Sequence, residues 1–243
     1  MQKILGYMRK AIQEFDLIQD GDRIAVGVSG GKDSLALLLG LIQLRRFIGI
    51  DYELVAITLD PMFGGVEGDY SAVARLCEEN GVEYVLQRTH IGEIVFDIRK
   101  EPNPCSLCAK FRRGALSTTM NRLGLNKIAL GHHQDDAVET MVMSLFLEGR
   151  VSCFQPVTYL DRTQVTQIRP MLYVQEREVR GAVRRLNLPV VENPCPANGS
   201  TRREEMKVLL RQLEDRYPNL RKKIFGAIQR YPLYGWSLEE DQR

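Results

Sequence analysis

The stretch Ile24-Ala25-Val26-Gly27-Val28-Ser29-Gly30-Gly31-Lys32-Asp33-Ser34, followed by a leucine-rich run to Ile42, decides the fold. Ile24, Val26 and Val28 supply β-branched bulk for a strand covered on both faces. Gly30 and Gly31 let the backbone turn sharply and approach a ligand without Cβ hindrance. Leu35, Leu38, Leu39 and Ile42 recur at helical spacing, which predicts a helix from near Lys32 with one face on the sheet. The turn leaves free N–H groups at a helix N-terminus, and Ser29 and Ser34 add hydroxyls. Together they make an anion site, worth about 0.3–1 kcal/mol per charge from the dipole alone. Lys32 adds a point charge for a phosphate. Asp33 fits such a cradle when a divalent cation lies between it and the phosphates, and hard oxygen ligands suit magnesium.

Downstream the pattern alternates. Tyr52 to Leu59 reads as a second strand ending at Asp60-Pro61, Met62 to Gly68 as a glycine-rich loop, Tyr70 to Asn80 as a helix, and Glu83 to Arg88 as a third strand. Lys127 to Leu130 is a fourth strand and Gln164 to Arg169 a further one. The alternation predicts an α/β fold, a doubly wound parallel sheet with right-handed crossovers and a C-terminal helical extension. The expected division is an N-terminal amphipathic helix in 1–20, a nucleotide-binding α/β domain in 21–190 and a basic helical extension in 191–243. Asp60 stands at the carboxyl end of a strand, where open α/β sheets place their ligand crevice; it either meets a nucleotide or metal there, or caps the Pro61 turn.

Gly131-His132-His133-Gln134-Asp135-Asp136 is again a strand end running into a helix N-terminus. Two imidazoles and two carboxylates therefore stand at the same sheet edge as the phosphate loop. One of the aspartates is accounted for as a helix cap; the set as a whole reads as chemistry. Pro104-Cys105-Ser106-Leu107-Cys108 opens a helix running to about Leu123. The two thiols, three residues apart, converge at its first turn. Lys110, Arg112 and Arg113 together with the dipole lower thiolate pKa there, which suits a soft metal, an iron–sulfur cluster or redox chemistry. Cys195, between Pro194 and Pro196, sits in a rigid loop, while Cys77 and Cys153 read as ordinary buried cysteines.

The 243 residues, 44% of them hydrophobic, can bury a sizeable core. No run approaches the roughly 20 apolar residues of a membrane span. Met1 to Phe15 reads as an amphipathic helix rather than a secretory signal, so a cytoplasmic protein without disulfides is expected. The net charge of +2 hides an asymmetry. Residues 1–149 carry 16 Lys/Arg against 20 Asp/Glu, and residues 150–230 carry 16 against 8. The basic third suggests a polyanionic partner; the other reading is a solvated helical face.

The loop Ser29–Ser34 resembles the pyrophosphate loop of the ATP pyrophosphatases (PP-loop enzymes), and it is not a Walker loop, because Gly-x-x-x-x-Gly-Lys-Ser/Thr is absent. That loop, Pro104-Cys105-Ser106-Leu107-Cys108 with Arg112-Arg113-Gly114, Gly131-His132-His133-Gln134-Asp135-Asp136, Ile168-Arg169-Pro170 and Pro194-Cys195 follow one another in an order similar to that of the tRNA 2-thiocytidine synthetase family of cluster-dependent tRNA thiolases. The resemblance covers about residues 20–230.

It implies a 4Fe-4S cluster on Cys105, Cys108 and Cys195, with ATP and Mg2+ bound through Ser29, Gly30, Gly31, Lys32, Asp33, Ser34, Asp60, Gly131, His132 and Arg169. Asp136 falls where related thiolases place a catalytic carboxylate, Asp33 joins the catalytic set, and Arg112 falls where some relatives carry a lysine. The partners implied are tRNA, ATP and a sulfur donor, either a cysteine desulfurase or free sulfide, with a homodimer by analogy. Members often carry a second Cys-x-x-Cys, whereas this chain has Cys195-Pro196-Ala197-Asn198, which leaves cytidine and uridine both open as targets. Rival readings are another ligase on the same scaffold, such as tRNA lysidine synthetase, and a nucleotide- or RNA-binding module without turnover.

Overall fold

A computed structural model describes residues 1–100, 104–192, 194–197, 199 and 201–231. Six strands form one sheet: β1 (Asp22–Gly27), β2 (Tyr52–Asp60), β3 (Glu83–Arg88), β4 (Lys127–Ala129), β5 (Val157–Leu160) and β6 (Val165–Ile168). Their spatial order is β3-β2-β1-β4-β6-β5. The pairs β1–β2, β2–β3, β1–β4 and β4–β6 are parallel, as the alternation predicts. The edge strand β5 is antiparallel to β6 and was not expected. It has four residues, half-buried apart from an exposed Tyr159, so it offers no apolar run.

Among the described residues eight α-helices surround the sheet: α1 (Gln2–Glu14), α2 (Lys32–Leu44), α3 (Ser71–Glu79), α4 (Pro104–Leu123), α5 (Gln134–Glu148), α6 (Glu176–Arg185), α7 (Arg202–Arg216) and α8 (Leu220–Arg230). A π-helical segment, Glu93–Arg99, precedes α4. The two sheet faces are covered unequally. Met120 and Leu125 of α4 and its following turn pack with Ala25, Val55, Ile57, Ile128 and Val165 on one face. The larger core on the other face draws on α1, α2, α3, α5, α6, α7 and α8.

The expectation that α2 buries one face needs correction. Leu35, Leu37, Leu38, Leu41 and Leu44 are all fully buried, because α1 and α6 lie against α2 as well as the sheet. Met206 and Leu210 of α7 and Phe225 and Ile228 of α8 join the same core, so the C-terminal helices pack on the α/β sheet. Among the described residues no helix is long and apolar enough to cross a membrane.

At the amino edge of the sheet the buried Lys127 ammonium bonds Asp22 Oδ2 at 2.7 Å and the Leu17 carbonyl at 3.1 Å. Removing one member of such a pair strands the other charge in the interior. Lys127→Ala is therefore expected to lower unfolding free energy by about 3–5 kcal/mol in urea titrations. The double variant Asp22→Asn/Lys127→Met should lose less than the two single changes added together.

Candidate active site

Strand order reverses between β1 and β4, since the chain moves one way from β1 and the other way from β4. In open α/β sheets that reversal opens a crevice at the carboxyl edge. The loop after β1 is pinned at its start: Val28 N–H donates to the Ile57 carbonyl at 2.8 Å, and Thr58 Oγ1 donates to the Val28 carbonyl at 2.6 Å. Gly30 then turns at φ +81°, and a Cβ there would meet Val191 Cβ at 2.8 Å. Glycine is thus required twice over, by conformation and by space. The Ser34 hydroxyl donates to the Gly31 carbonyl at 2.9 Å and lies 3.3 Å from Ser29 Oγ. Gly31 itself is the N-cap of α2 and brings no capping side chain, so the first N–H groups of this buried helix face the crevice as an anion site.

Lys32 Nζ bonds Asp33 Oδ2 at 2.8 Å and Glu176 Oε1 at 3.1 Å. Burial works against its charge, yet Asp33 and Glu176 hold its pKa above the ordinary lysine value. For Glu176 too burial is the opposing influence, and bonds from Arg180 and Lys32 carry its carboxyl down to about 2. Asp33 Oδ1 is buried without a hydrogen-bond partner, 3.6 Å from His133 Nε2. An orphaned carboxylate oxygen beside a phosphate loop suits a hard divalent cation.

The loop after β4 closes the other side. A Cβ on Gly131 would stand 3.1 Å from the Asp33 carbonyl carbon and 3.3 Å from Ser34 N. Next to it, His133 is buried and caps α5. Its Nδ1 accepts from Asp136 N–H at 3.3 Å while Asp136 Oδ2 accepts from His133 N–H at 2.9 Å. Asp136 Oδ1 accepts from Arg203 at 3.2 Å. Asp135 Oδ2 accepts from Glu176 N–H at 2.8 Å, at the start of α6, and its Oδ1 faces Arg221 at 3.4 Å. Both aspartates are helix caps, and both also meet an arginine from the C-terminal helices. Glu139, fully buried one turn on, joins them: Arg203 lies at 3.6 Å and Arg221 at 3.4 Å.

His132 packs on Phe154 with ring centroids 5.0 Å apart, and the Arg169 guanidinium lies 5.0 Å from the same ring. Arg169 is buried, bonds Thr158 Oγ1 at 3.1 Å, and keeps Nε without a partner; His132 Nδ1 is likewise orphaned. Asp60 is buried with both oxygens accepting from its own loop, Oδ1 from Met62 N–H at 3.0 Å and Oδ2 from Gly68 N–H at 2.9 Å. It builds the glycine-rich loop at the rim, which is the turn-capping arrangement.

Cys105 is exposed, while Cys108 and Cys195 are half-buried. Burial pushes the Cys108 thiol up; Arg112 pulls it down, and Cys195 and Cys105 are close enough to add to the rise. Two links tie this group to the phosphate loop. Val191 N–H donates to the Gly30 carbonyl at 3.0 Å, four residues before Cys195. Tyr70, whose ring lies 3.5 Å from the Gly30 Cβ position, has its phenol pKa raised by burial and by Asp60, with the Arg112 charge near enough to pull the other way.

Among the described residues no three His, Cys, Asp or Glu side chains converge on a single metal ion. A four-iron cluster is held differently, each thiolate on its own corner iron, and an all-thiol donor set suits it better than a closed zinc site. Cys77 is buried, with its thiol pushed up to about 11 by burial, as an inert core cysteine requires.

Sequence reasoning missed His133 as a cap and Glu139, Glu176, Arg203 and Arg221 altogether. Glu139 carried a signal: it is a charge between Val138 and Val142, on the apolar stripe of α5. The arginines carried none, because the α5 acids they meet lie more than sixty residues away in sequence.

The PP-loop domain family matches residues 4–213. The tRNA-cytidine(32) 2-sulfurtransferase of Geobacter sulfurreducens is 40% identical over 230 residues, 93% of this chain and 89% of its own length. That of Syntrophotalea carbinolica is 41% identical, covering 93% and 88%. Among solved structures, the U34-tRNA thiolase NcsA from Methanococcus maripaludis with its [4Fe-4S] cluster superposes with a TM-score of 0.71 at 26% identity, over 91% of this chain and 76% of its own.

Two expectations follow from this geometry. Gly131→Ala should push the Asp33–Ser34 backbone and weaken ATP binding on the order of tenfold, about 1.4 kcal/mol, in calorimetric titrations. Burial drives the His132 imidazole from its ordinary 6.5 down to about 4, Asp136 opposing and Arg169 assisting. The folded state thus prefers the neutral ring, so stability is lost as pH falls from about 6.5 towards 4. His132→Gln should flatten that limb of a plot of urea midpoint against pH.

Proposed function

The chain belongs to the PP-loop family of tRNA-cytidine 2-sulfurtransferases, and from that premise we propose that it replaces the C2 oxygen of cytidine 32 in tRNA with sulfur at the expense of ATP. The carbonyl oxygen at C2 attacks the α-phosphorus of ATP, the α–β bridging P–O bond breaks, and pyrophosphate leaves. An inorganic sulfur nucleophile then adds at C2, and AMP departs with the former carbonyl oxygen. Activation of this kind is needed because an unactivated ring oxygen is a very poor leaving group.

The phosphate loop, Ser29 to Ser34, binds the triphosphate through the α2 N-terminus and the two hydroxyls. Lys32 exchanges its bond to Glu176 for a phosphate oxygen, and Asp33 offers its orphaned Oδ1 to magnesium. Arg169 and His132, each with an unpartnered buried nitrogen, donate to a phosphate or base oxygen in the crevice. Asp136, held at the sheet edge by Arg203 and the helix cap, takes up the proton released when sulfur adds. Arg112, between Cys108 and Tyr70, steadies developing negative charge on the departing phosphate.

Cys105, Cys108 and Cys195 would hold the 4Fe-4S cluster. When bound, it supplies an iron with a free coordination position, suited to soft sulfur ligands. That sulfur is read as free sulfide, or as the outer sulfur of a desulfurase-borne persulfide released at the sulfide level by a two-electron thiol reductant that is itself oxidised to a disulfide. The single observation that carries this reading is the pair of links, through Val191 and through Tyr70, between the cysteine group and Gly30 of the phosphate loop. They support reading a soft-ligand site beside an adenylation site.

The experiment is nucleoside mass spectrometry of tRNA after incubation with the anaerobically reconstituted protein, ATP, Mg2+ and sulfide. 2-Thiocytidine is the expected product. Cys105→Ala, Cys108→Ala and Cys195→Ala should each abolish it while leaving ATP affinity within about twofold. Asp136→Asn should lower the thiolation rate by about 10²–10⁴. Full activity in Cys195→Ala would instead favour a ligase chemistry that needs no cluster.

A further inference from the structure

Between α1, α6, α7 and α8 lies an open groove of about 1080 Å³, distinct from the phosphate loop but sharing a wall with it. Ten Lys and Arg side chains line it against three acids, Asp135, Glu176 and Glu214. Four of the cations are paired: Lys3 with Glu178, Lys10 with Glu14, Arg180 with Glu176, and Arg221 with Asp135, Glu139 and Glu214. The other six, Arg177, Arg184, Lys207, Arg211, Lys222 and Arg230, make no ion pair among the described residues. Six unpaired charges facing one concavity repel each other, which is a standing cost unless a polyanion neutralises them.

We infer that this groove seats the phosphodiester backbone of the tRNA. The inference rests on the sulfurtransferase reading and adds to it the face from which the RNA arrives. The groove is too large and too polar for a small apolar ligand. Of the three aromatic side chains in its wall, Tyr173 and Phe225 are buried, and the half-buried Tyr7 has the Lys3 ammonium 5.8 Å from its ring centroid, so the wall offers no open platform on which successive bases could stack. What the groove presents is charge, which positions a nucleic acid without reading its sequence.

Its place in the fold fits the chemistry. Glu176 lines the groove and also bonds Lys32 of the phosphate loop; Asp135 lines it and caps the start of α6, one residue from Asp136. RNA lying along α6 and α8 is therefore separated from the crevice by the shared wall of Glu176 and Asp135, and an unstacked loop nucleotide can enter while its neighbours stay on the cations.

The test compares the wild type with Arg184→Gln/Lys222→Gln/Arg230→Gln, residues outside the catalytic set, by fluorescence anisotropy with labelled tRNA over a range of salt. The triple variant should bind tRNA more than about tenfold more weakly, and the slope of log K against log salt should fall by about 2 to 3 units. Its KM for tRNA should rise while kcat at saturating tRNA and ATP affinity stay within about twofold. Arg184→Lys/Lys222→Arg/Arg230→Lys, which keeps the charges, should bind as the wild type does, separating charge from folding. ATP and pyrophosphate should not displace the RNA from the groove in the absence of magnesium.

An unchanged tRNA affinity and salt slope in the neutralised variant, with the wild type still making thiocytidine, overturns the groove assignment alone. Unchanged affinity with loss of turnover from a desulfurase but not from free sulfide would give the groove to an acidic protein and also overturn it. A wild type that thiolates no tRNA overturns the reading beneath it.

Discussion

The crevice exists because two loops are held apart by almost nothing. The loop after β4 runs so close to the first turn of α2 that a single methyl group on Gly131 would press on the Asp33–Ser34 backbone. That approach fixes where the free N–H groups of α2 point, and it sets His133 against Asp33 and Asp136 behind it. A parallel sheet with reversing strand order leaves such a gap at its carboxyl edge. Here the gap is filled by ligating groups, so the same constraint that shapes the fold assembles the site.

Around that gap the charges are arranged in a chain rather than in isolated pairs. Lys32 touches Glu176, Glu176 touches Arg180 and the cap from Asp135, Asp135 touches Arg221, and Arg221 and Arg203 share the buried Glu139. Isolated surface pairs contribute little. A connected, largely buried set is different, because removing one member leaves others unpaired in a medium that solvates them poorly. The set therefore serves less as a source of stability than as a means of holding Asp136 and the phosphate loop in one geometry.

What could be read from the chain beforehand follows the range of the interactions. The phosphate loop, the first four strands and the start of α4 are local patterns of β-branched runs, glycines and prolines, and they stand where the sequence puts them. The antiparallel β5 escaped because its four residues alternate at an edge and bury little. The full burial of α2 escaped because periodicity reports one apolar face and says nothing of α1 and α6 lying on the others. In the site, the thiols of Cys105 and Cys108 were legible as a pair, but spacing alone left metal, cluster and redox roles open; Cys195 was legible as a third candidate by its place beside proline in a loop, and the resemblance named the three as cluster ligands. Arg203 and Arg221 were invisible, since nothing in a basic helix says which distant acid it will meet.

The buried carboxylate of Glu139 also bears on how the protein is made. Ribosomes deliver α5 long before α7 and α8, so a nascent chain holding Glu139 in place carries an acid with neither counter-ion yet synthesised. In the finished fold burial pushes that carboxyl up while Lys207, Arg203 and Arg221 pull it down, and α7 and α8 themselves pack against α5. Completion of the last two helices supplies Arg203 and Arg221 together. The acids at the head of α5 thus reach their final ion pairs only when the last two helices are in place.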